Sequence, residues 1–212
     1  LKHASNVPRC ADAMKEVLDA AGIPPGVFDV LHIDNDQAAE VLRDDRIAAV
    51  TLTGSERAGR SLAANAGDQL KKCVMELGGS DAFVVLDDAD LERTVQSAVQ
   101  SRFDNSGQTC IAAKRFIVVD AIADQFVERF VAAAAQRVLG DPQQDATTLA
   151  PMARADLRDE LHKQVQESVS KGAKVLLGGE PVAGSHAGYP ATILDQVGPG
   201  MPAYEQELFG PV

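Results

Sequence analysis

Apolar residues along this chain follow two alternating spacings, and this alternation is the main structural signal in the sequence. Short apolar runs rich in β-branched residues are followed by longer stretches in which apolar residues recur with helical spacing. Alternating strands and helices are typical of βαβ units and predict an α/β fold with a largely parallel sheet. We predict helices at residues 9–21, 34–45, 56–67, 89–102, 121–139 and 154–171, and strands at 27–33, 47–53, 82–86, 112–119 and 173–179.

A pair of glycines, Gly78 and Gly79, separates two apolar segments and marks the predicted domain junction. Glycine lets the backbone reverse direction where contacts between domains become few. We therefore predict one domain over residues 1–77 and a second over residues 78–212. The chain begins with LKHAS, without an initiator methionine, and stops one Val after a Gly-Pro turn. We expect it to be an internal fragment of a longer protein.

Charge and composition narrow the possible classes of function. The 212 residues are 45% hydrophobic, with a formal net charge of −11 and a pI near 4.7. Because no basic stripe could neutralise phosphates, we expect neither nucleic acid nor an anionic membrane as a partner. No apolar run is long enough to cross a bilayer, so we expect a cytoplasmic protein. Cys10, Cys73 and Cys110 lack the spacing of a disulfide framework or a metal site.

The segment FDNSGQTC, residues 103–110, carries the first candidate for chemistry. An apolar helix end runs into small turn-forming residues and closes on Cys110. A cysteine at the mouth of such a turn is partly exposed and lies among free backbone N–H groups, as a reactive thiol requires. The alternative is that Cys110 begins the following strand as a small buried hydrophobic residue. The segment alone leaves both interpretations open.

Three further segments contain candidate residues. In VMELGGS, Glu76 follows an apolar strand, either as a functional carboxylate or as a solvated strand end. In VTLTGSERAG, the Gly54-Ser55 turn leads into a helix whose first N–H groups would attract phosphate, although Ser55 could equally be an ordinary N-cap. In EQELFGPV, Glu207 and Phe209 flank a Gly-Pro turn. Each signal is weak by itself.

Together these segments resemble the aldehyde dehydrogenase superfamily over essentially the whole chain. The matching segments are LKHAS, TLTGSERAG, MELGG, NSGQTC and EQELFGPV, in the family order, with Glu76 lying 34 residues before Cys110 and Glu207 lying 97 residues after it. The resemblance implies a partial Rossmann-type cofactor domain at residues 1–77 and a partial catalytic domain at 78–212. LKHASNVPRCA and CIAAKRFIV are most similar to bacterial succinate-semialdehyde dehydrogenases that use NADP or NAD.

The resemblance also implies roles for individual residues. Cys110 would be the nucleophile that forms a thiohemiacetal and then a thioester, and its backbone N–H would contribute to the oxyanion hole. Glu76 would be the general base that activates the hydrolytic water, a role that apolar surroundings favour. Gly78 and Gly79 would serve the tight backbone near the active site.

The cofactor residues follow from the same resemblance. Gly54 and Ser55 would bind the pyrophosphate at the helix N-terminus, and Lys2 would bind the adenosine ribose. Ser5 stands where NAD-preferring members commonly carry a glutamate, so the resemblance implies that NADP is accepted, unless Ser5 merely caps the next helix. Glu207 would hold the nicotinamide ribose, with Phe209 packed beside it.

One position that bears on the substrate departs from the family pattern. Many succinate-semialdehyde enzymes carry an arginine six residues before the nucleophile, but here that position is Asp104. Arg102 could bind the distal carboxylate instead, or it could be a surface residue at a helix end. A CoA-acylating enzyme and an inactive structural relative stay open as alternatives. Family members usually form homodimers or homotetramers, which we expect of the full-length protein.

Overall fold

The computed structural model describes residues 1–212 as two compact units, Leu1–Leu77 and Gly78–Val212. None of its helices is both long and apolar enough to cross a membrane. The helices are α1 (Pro8–Ala20), α2 (Asn35–Arg43), α3 (Glu56–Asp68), α4 (Leu91–Phe103), α5 (Asp120–Ala134), α6 (Ala155–Ser170) and α7 (Pro202–Glu205). The strands are β1 (Ala49–Thr53), β2 (Lys72–Glu76), β3 (Ala82–Val85), β4 (Arg115–Val118), β5 (Lys174–Leu177) and β6 (Ile193–Asp195).

The first unit contains the predicted βαβ arrangement. Strands β1 and β2 are parallel, in register from Ala49 beside Lys72 to Thr53 beside Glu76, and α3 connects them and contacts both. The helix packs closely because Gly59 has no side chain: a Cβ at this position would lie 2.7 Å from the Leu77 methyl groups. Parallel pairing brings the carboxyl ends of β1 and β2 to one edge of the sheet.

One predicted strand of this unit is absent. Residues 27–33 do not form a strand, because Leu31 pairs with Lys2 at a single isolated bridge and the neighbouring residues find no ladder partner. The residues of strand β1 alternate between exposed and half-buried. In this unit the sheet has two strands, with α3 packed on it, so the alternation reflects one covered face.

The second unit also begins with a parallel βαβ arrangement. Strands β3 and β4 pair in parallel, with Phe83 beside Phe116, and α4 makes the connection between them. Helices α4 and α5 pack together, and the rings of Phe116, Phe126 and Phe130 meet in the core, with centroids 4.7 Å apart for Phe116 and Phe130. Aromatic side chains bury large apolar areas, so this cluster anchors the segment that carries Cys110.

The remainder of the second unit contains the antiparallel pair of a fold whose other strand pairs, β1 with β2 and β3 with β4, are parallel as predicted. Strands β5 and β6 pair antiparallel, with a register irregularity between Val175 and Leu177. A second core gathers around α6 and the chain end, where Tyr189 and Val165 are almost fully buried. Burial raises the pKa of the Tyr189 hydroxyl above its usual range, and this hydroxyl donates to the Gly179 carbonyl at 3.1 Å. The protein is therefore an α/β fold with parallel and antiparallel pairs.

Candidate functional site in the Cys110 turn

The turn before Cys110 reverses the chain through consecutive left-handed residues. Asn105, Ser106 and Gly107 have φ angles of 52°, 55° and 69° within the short 3₁₀ segment that follows α4. Non-glycine residues adopt this conformation only when the surroundings hold them there. The turn leaves Cys110 exposed, and β4 begins only at Arg115. The alternative in which Cys110 is the buried first residue of a strand is therefore wrong.

Gly107 is the one residue of the turn whose lack of a side chain is a steric necessity. A Cβ at this position would lie 2.1 Å from the Gly210 carbonyl oxygen and 2.5 Å from Arg102 Nη2. Both distances are far below van der Waals contact, and the φ angle independently favours glycine. The NSGQTC segment therefore needs glycine where it passes the backbone of the LFGPV segment.

The polar side chains of the turn fasten it to its neighbours. Ser106 Oγ donates to the Ala150 carbonyl at 2.7 Å, and Gln108 Oε1 accepts from the Ala153 N–H at 3.0 Å. Asn105 Nδ2 donates to the Gln108 carbonyl at 3.0 Å, which closes the turn internally. These hydrogen bonds give Asn105, Ser106 and Gln108 a structural role and offset the cost of the left-handed backbone.

Arg102 is buried, with 1% of its surface exposed, so the surface alternative is wrong. Its guanidinium donates to the Gly107 carbonyl at 2.6 Å and to the Ala113 carbonyl at 3.0 Å. Burial lowers the pKa of Arg102 to about 10, while the negative charge of Glu207 acts in the opposite direction and raises the pKa. Arg102 thus holds both ends of the Cys110 turn, and its Nη donors are engaged with backbone carbonyls.

Lys114 is a second buried cation that sequence reasoning missed. Its side chain is 1% exposed, and Nζ donates to the Cys110 carbonyl at 2.7 Å and the Thr109 carbonyl at 3.2 Å. The same ammonium lies 3.2 Å from Glu207 Oε1. The sequence feature that could have identified Lys114 is its position inside the apolar segment CIAAKRFIV. A lysine in an apolar segment is expected to be buried, and a buried lysine needs a partner for its charge.

Glu207 lies near the Cys110 turn. Lys114 contacts both, through the Glu207 carboxylate and the Cys110 carbonyl. Glu207 Oε1 accepts from the Gly79 N–H at 3.3 Å, and a Cβ on Gly78 would lie 1.9 Å from Oε2. The glycine pair therefore makes room for this carboxylate. Phe209, two residues later, is 38% exposed. The second unit thus brings Cys110 and Glu207 together around one lysine.

In the first unit, Glu76 and the Gly54-Ser55 turn lie at one edge of the sheet. Glu76 is the last residue of β2, its side chain is exposed, and its backbone carbonyl accepts from the Gly54 N–H at 2.9 Å. Functional residues of parallel sheets commonly lie at this carboxyl edge. The structure thus places Glu76 and Gly54 side by side within this unit.

The N-terminus of α3 can accept an anion. Ser55 is its N-cap, with Oγ accepting from the Ala58 N–H at 3.3 Å, as the alternative interpretation expected. The cap leaves the N–H groups of Glu56 and Arg57 without a backbone acceptor. Free N–H groups and the helix dipole both favour a phosphate at this position, so the residues fit the pyrophosphate of a dinucleotide.

Lys2 and Ser5 lie in the segment before α1. Lys2 is half-buried and donates to Asn35 Oδ1 at 3.0 Å. Ser5 is exposed in a turn, and the N-cap of α1 is Val7, which makes no side-chain capping bond. The alternative in which Ser5 caps α1 is therefore wrong, and its hydroxyl is available for another partner.

Comparison with known protein families decides the classification of this chain. The model of the aldehyde dehydrogenase family matches residues 1–212. The chain belongs to the aldehyde dehydrogenase family. This assignment confirms the resemblance inferred from the five sequence segments and agrees with the α/β fold.

Individual aldehyde dehydrogenases show how far the similarity extends. The chain is 56% identical to the NAD(P)+ succinate semialdehyde dehydrogenase Sad of Escherichia coli K12 over 212 residues, which are 46% of that protein. It resembles the Streptococcus pyogenes succinic semialdehyde dehydrogenase solved with NADP+ (TM-score 0.94, 41% identity) over 100% of this chain and 47% of that one. It also resembles Escherichia coli lactaldehyde dehydrogenase (TM-score 0.95, 36% identity) over 100% of this chain and 45% of that one. The chain thus spans about half the length of these relatives.

Proposed function

We propose that this chain contributes the nucleophile and part of the cofactor site of an NAD(P)-dependent aldehyde dehydrogenase. The observation that carries the proposal is the exposed Cys110 at the end of a left-handed turn whose carbonyls are bound by two buried cations. Such a turn holds the thiol in one place while leaving it open to a substrate. Membership of the family and the identity to curated relatives support the same chemistry.

The covalent step falls to Cys110. Its thiolate sulfur attacks the aldehyde carbon, a C–S bond forms, and the carbonyl oxygen becomes the oxyanion of a thiohemiacetal. The Cys110 N–H is the proposed backbone donor to this oxyanion. A bound nicotinamide supplies the hydride acceptor that the oxidation requires. Loss of hydride leaves a thioester on Cys110.

Glu76 is the proposed general base for the second half of the reaction. Its carboxylate would take a proton from the water that attacks the thioester, which releases the carboxylic acid and regenerates the Cys110 thiol. The support for this role is the MELGG motif and the position of Glu76 at the carboxyl end of β2. A water nucleophile distinguishes this reaction from the CoA-acylating alternative.

Each unit by itself contains residues with a proposed role in cofactor binding. Gly54, Ser55 and the N-terminus of α3 would bind the pyrophosphate, and Lys2 and Ser5 would bind the adenosine ribose with its 2′-phosphate. In the second unit, Glu207 would bind the nicotinamide ribose, with Phe209 beside it. The free N–H groups of α3 and the uncommitted Ser5 hydroxyl support these roles.

We further propose succinate semialdehyde as the substrate, because curated relatives that match the whole chain carry that name. Fold similarity does not separate the substrates, since a lactaldehyde dehydrogenase matches equally well.

A panel of aldehydes tests the proposal in the complete protein. We expect kcat/KM for succinate semialdehyde to exceed that for butanal, an uncharged aldehyde of equal chain length, by at least about tenfold. Equal values would remove succinate semialdehyde as the preferred substrate.

The carboxylate-binding residue in this chain is not Arg102 in its present conformation, because that side chain is buried and donates to the turn. Asp104 is exposed and carries the wrong charge for binding a carboxylate. The proposed substrate therefore needs a cationic or polar group from elsewhere in the complete protein. We also propose that the complete protein works in the cytoplasm as a homodimer or homotetramer. Analytical ultracentrifugation would test the assembly, and cell fractionation would test the location.

Ser5→Glu should weaken NADP selectively. A carboxylate at this exposed position would repel the 2′-phosphate and remove the hydroxyl donor, at a cost of roughly 1.5 to 3 kcal/mol, or about tenfold to a hundredfold in affinity. NAD has no phosphate there, so its affinity should change little. Dissociation constants from fluorescence titration of both cofactors measure the effect.

Ser61→Glu is the control for this experiment. It adds the same charge on the exposed surface of α3 and should change the affinities for NADP and NAD alike. Equal weakening of both by Ser5→Glu would refute the discriminating role.

A further inference from the structure

The Lys114 ammonium lies beneath the Cys110 turn in contact with several of its carbonyl groups. We propose that Lys114 is a positioning residue that aims the Cys110 N–H at the reacting oxygen, an inference that rests on the proposed function. Nζ donates to the Cys110 and Thr109 carbonyls at 2.7 and 3.2 Å and approaches the Ala112 carbonyl at 3.4 Å. This is the densest set of hydrogen bonds that any side chain makes to the turn.

The Thr109 carbonyl connects Lys114 to the Cys110 N–H, the proposed oxyanion donor. It belongs to the same planar peptide group as the Cys110 N–H, and in a trans peptide the C=O and the N–H point in opposite directions. Fixing the Thr109 oxygen therefore fixes the direction of the Cys110 N–H. The Ala112 N–H also donates to this oxygen, at 3.1 Å, so the peptide plane is held from two sides. A positive charge at the carbonyl also polarises the peptide and strengthens its N–H as a donor.

Glu207 keeps the ammonium in place. It is the carboxylate in contact with Lys114, at 3.2 Å, and it neutralises a charge whose side chain is 1% exposed. Glu207 is itself held by the Gly79 N–H, at 3.3 Å, and its backbone carbonyl accepts from Gln164 Nε2 at 3.2 Å. Lys114 therefore joins a proposed cofactor residue to the peptide that precedes the nucleophile.

Arg102 cannot substitute for Lys114. Its two donating nitrogens bind the Gly107 and Ala113 carbonyls, on either side of the Thr109–Cys110 peptide. Loss of Lys114 should consequently leave the turn anchored at both ends but leave the Thr109–Cys110 peptide held by the Ala112 N–H alone, so that the direction of the Cys110 N–H is less tightly fixed. The expected defect is specific to reactions that place negative charge on an oxygen next to the Cys110 N–H.

Two reactions of the Cys110 thiolate distinguish an effect on the orientation of the Cys110 N–H from an effect on the reactivity of the thiolate. With p-nitrophenyl acetate, the sulfur attacks the ester carbon, an oxyanion forms, and the C–O bond breaks to give an acetyl thioester and p-nitrophenolate. With iodoacetamide, the sulfur displaces iodide and no oxyanion forms. The ratio of the two rate constants in the complete protein therefore reports the oxyanion donor and cancels changes in thiolate reactivity. Cys110→Ala provides the background for both.

Lys114→Met should lower the acetylation rate by about tenfold to a hundredfold and change the alkylation rate by less than about threefold. Lys114→Arg keeps the charge beside Glu207 but spreads its donors over a planar fork, so it should restore part of the ratio. It also provides a folded variant if the Met variant does not fold. Lys174→Met, at an exposed position in β5, is the matched control and should leave the ratio unchanged.

The outcomes distinguish this inference from the function on which it rests. If the wild-type protein shows no acetylation that depends on Cys110, both the proposed function and the role of Lys114 are wrong. If the wild type is acetylated but the ratio is unchanged in Lys114→Met and Lys114→Arg, only the role of Lys114 is wrong. Equal loss of both rates would also overturn it, because that result indicates a general structural role.

Discussion

Cys110→Ala should lower aldehyde oxidation by the complete protein at least about a thousandfold, because Cys110 is the one thiol of the turn and a serine or threonine hydroxyl is a far weaker nucleophile than a thiolate. The alanine preserves the turn, since Arg102 and Lys114 hold it through backbone carbonyls and not through the sulfur. Cofactor affinity should therefore stay within about threefold of the wild type. Nicotinamide absorbance measures the oxidation, and fluorescence titration measures the binding.

Cys10→Ala is the matched control for this experiment. Cys10 is also free and exposed, but it lies in α1 of the first unit, and its removal should leave oxidation unchanged. Oxidation by Cys110→Ala at a tenth or more of the wild-type rate would remove Cys110 as the nucleophile. Loss of cofactor binding together with activity would show that the substitution had disturbed the fold, contrary to the backbone anchoring seen here.

The Cys110 turn shows which features of the site could be predicted from sequence. Small polar residues with a glycine indicate a turn, and a cysteine at its end indicates a thiol near free N–H groups. The side-chain partners of Arg102 and Lys114 could not be predicted, because burial of a cation depends on which carbonyls the tertiary fold brings within reach. Local sequence describes Arg102 only as a basic residue in the last turn of α4.

In the fold as well, elements that depend on local sequence were predictable, and elements that depend on tertiary contacts were not. The βαβ arrangement from β1 to β2 was predictable, since Ser55 caps α3 and the strands are apolar. The absence of a strand at residues 27–33 depends on missing ladder partners, which lie outside the segment itself. Strand β6 and helix α7 are too short to produce a periodic signal, and they were not predicted.

Glu76→Gln should separate the two halves of the reaction. The amide keeps the size of the side chain but cannot accept a proton from water, so hydrolysis of the Cys110 thioester should slow by about a hundredfold or more. Formation of the thioester does not need this base. The first turnover should therefore produce reduced cofactor at a rate close to that of the wild type, in an amount equal to the active sites, followed by a slow steady state.

Stopped-flow absorbance of the reduced nicotinamide resolves the burst from the steady state, and acid quenching followed by mass spectrometry detects the acylated Cys110 directly. Glu40→Gln, on the exposed face of α2, makes the same chemical change in the same unit and should behave as the wild type. Unaltered steady-state turnover in Glu76→Gln would exclude it as the base. A burst that is slowed as much as the steady state would instead place Glu76 before hydride transfer, in activation of the Cys110 thiol, since a base needed only for hydrolysis leaves the first turnover intact.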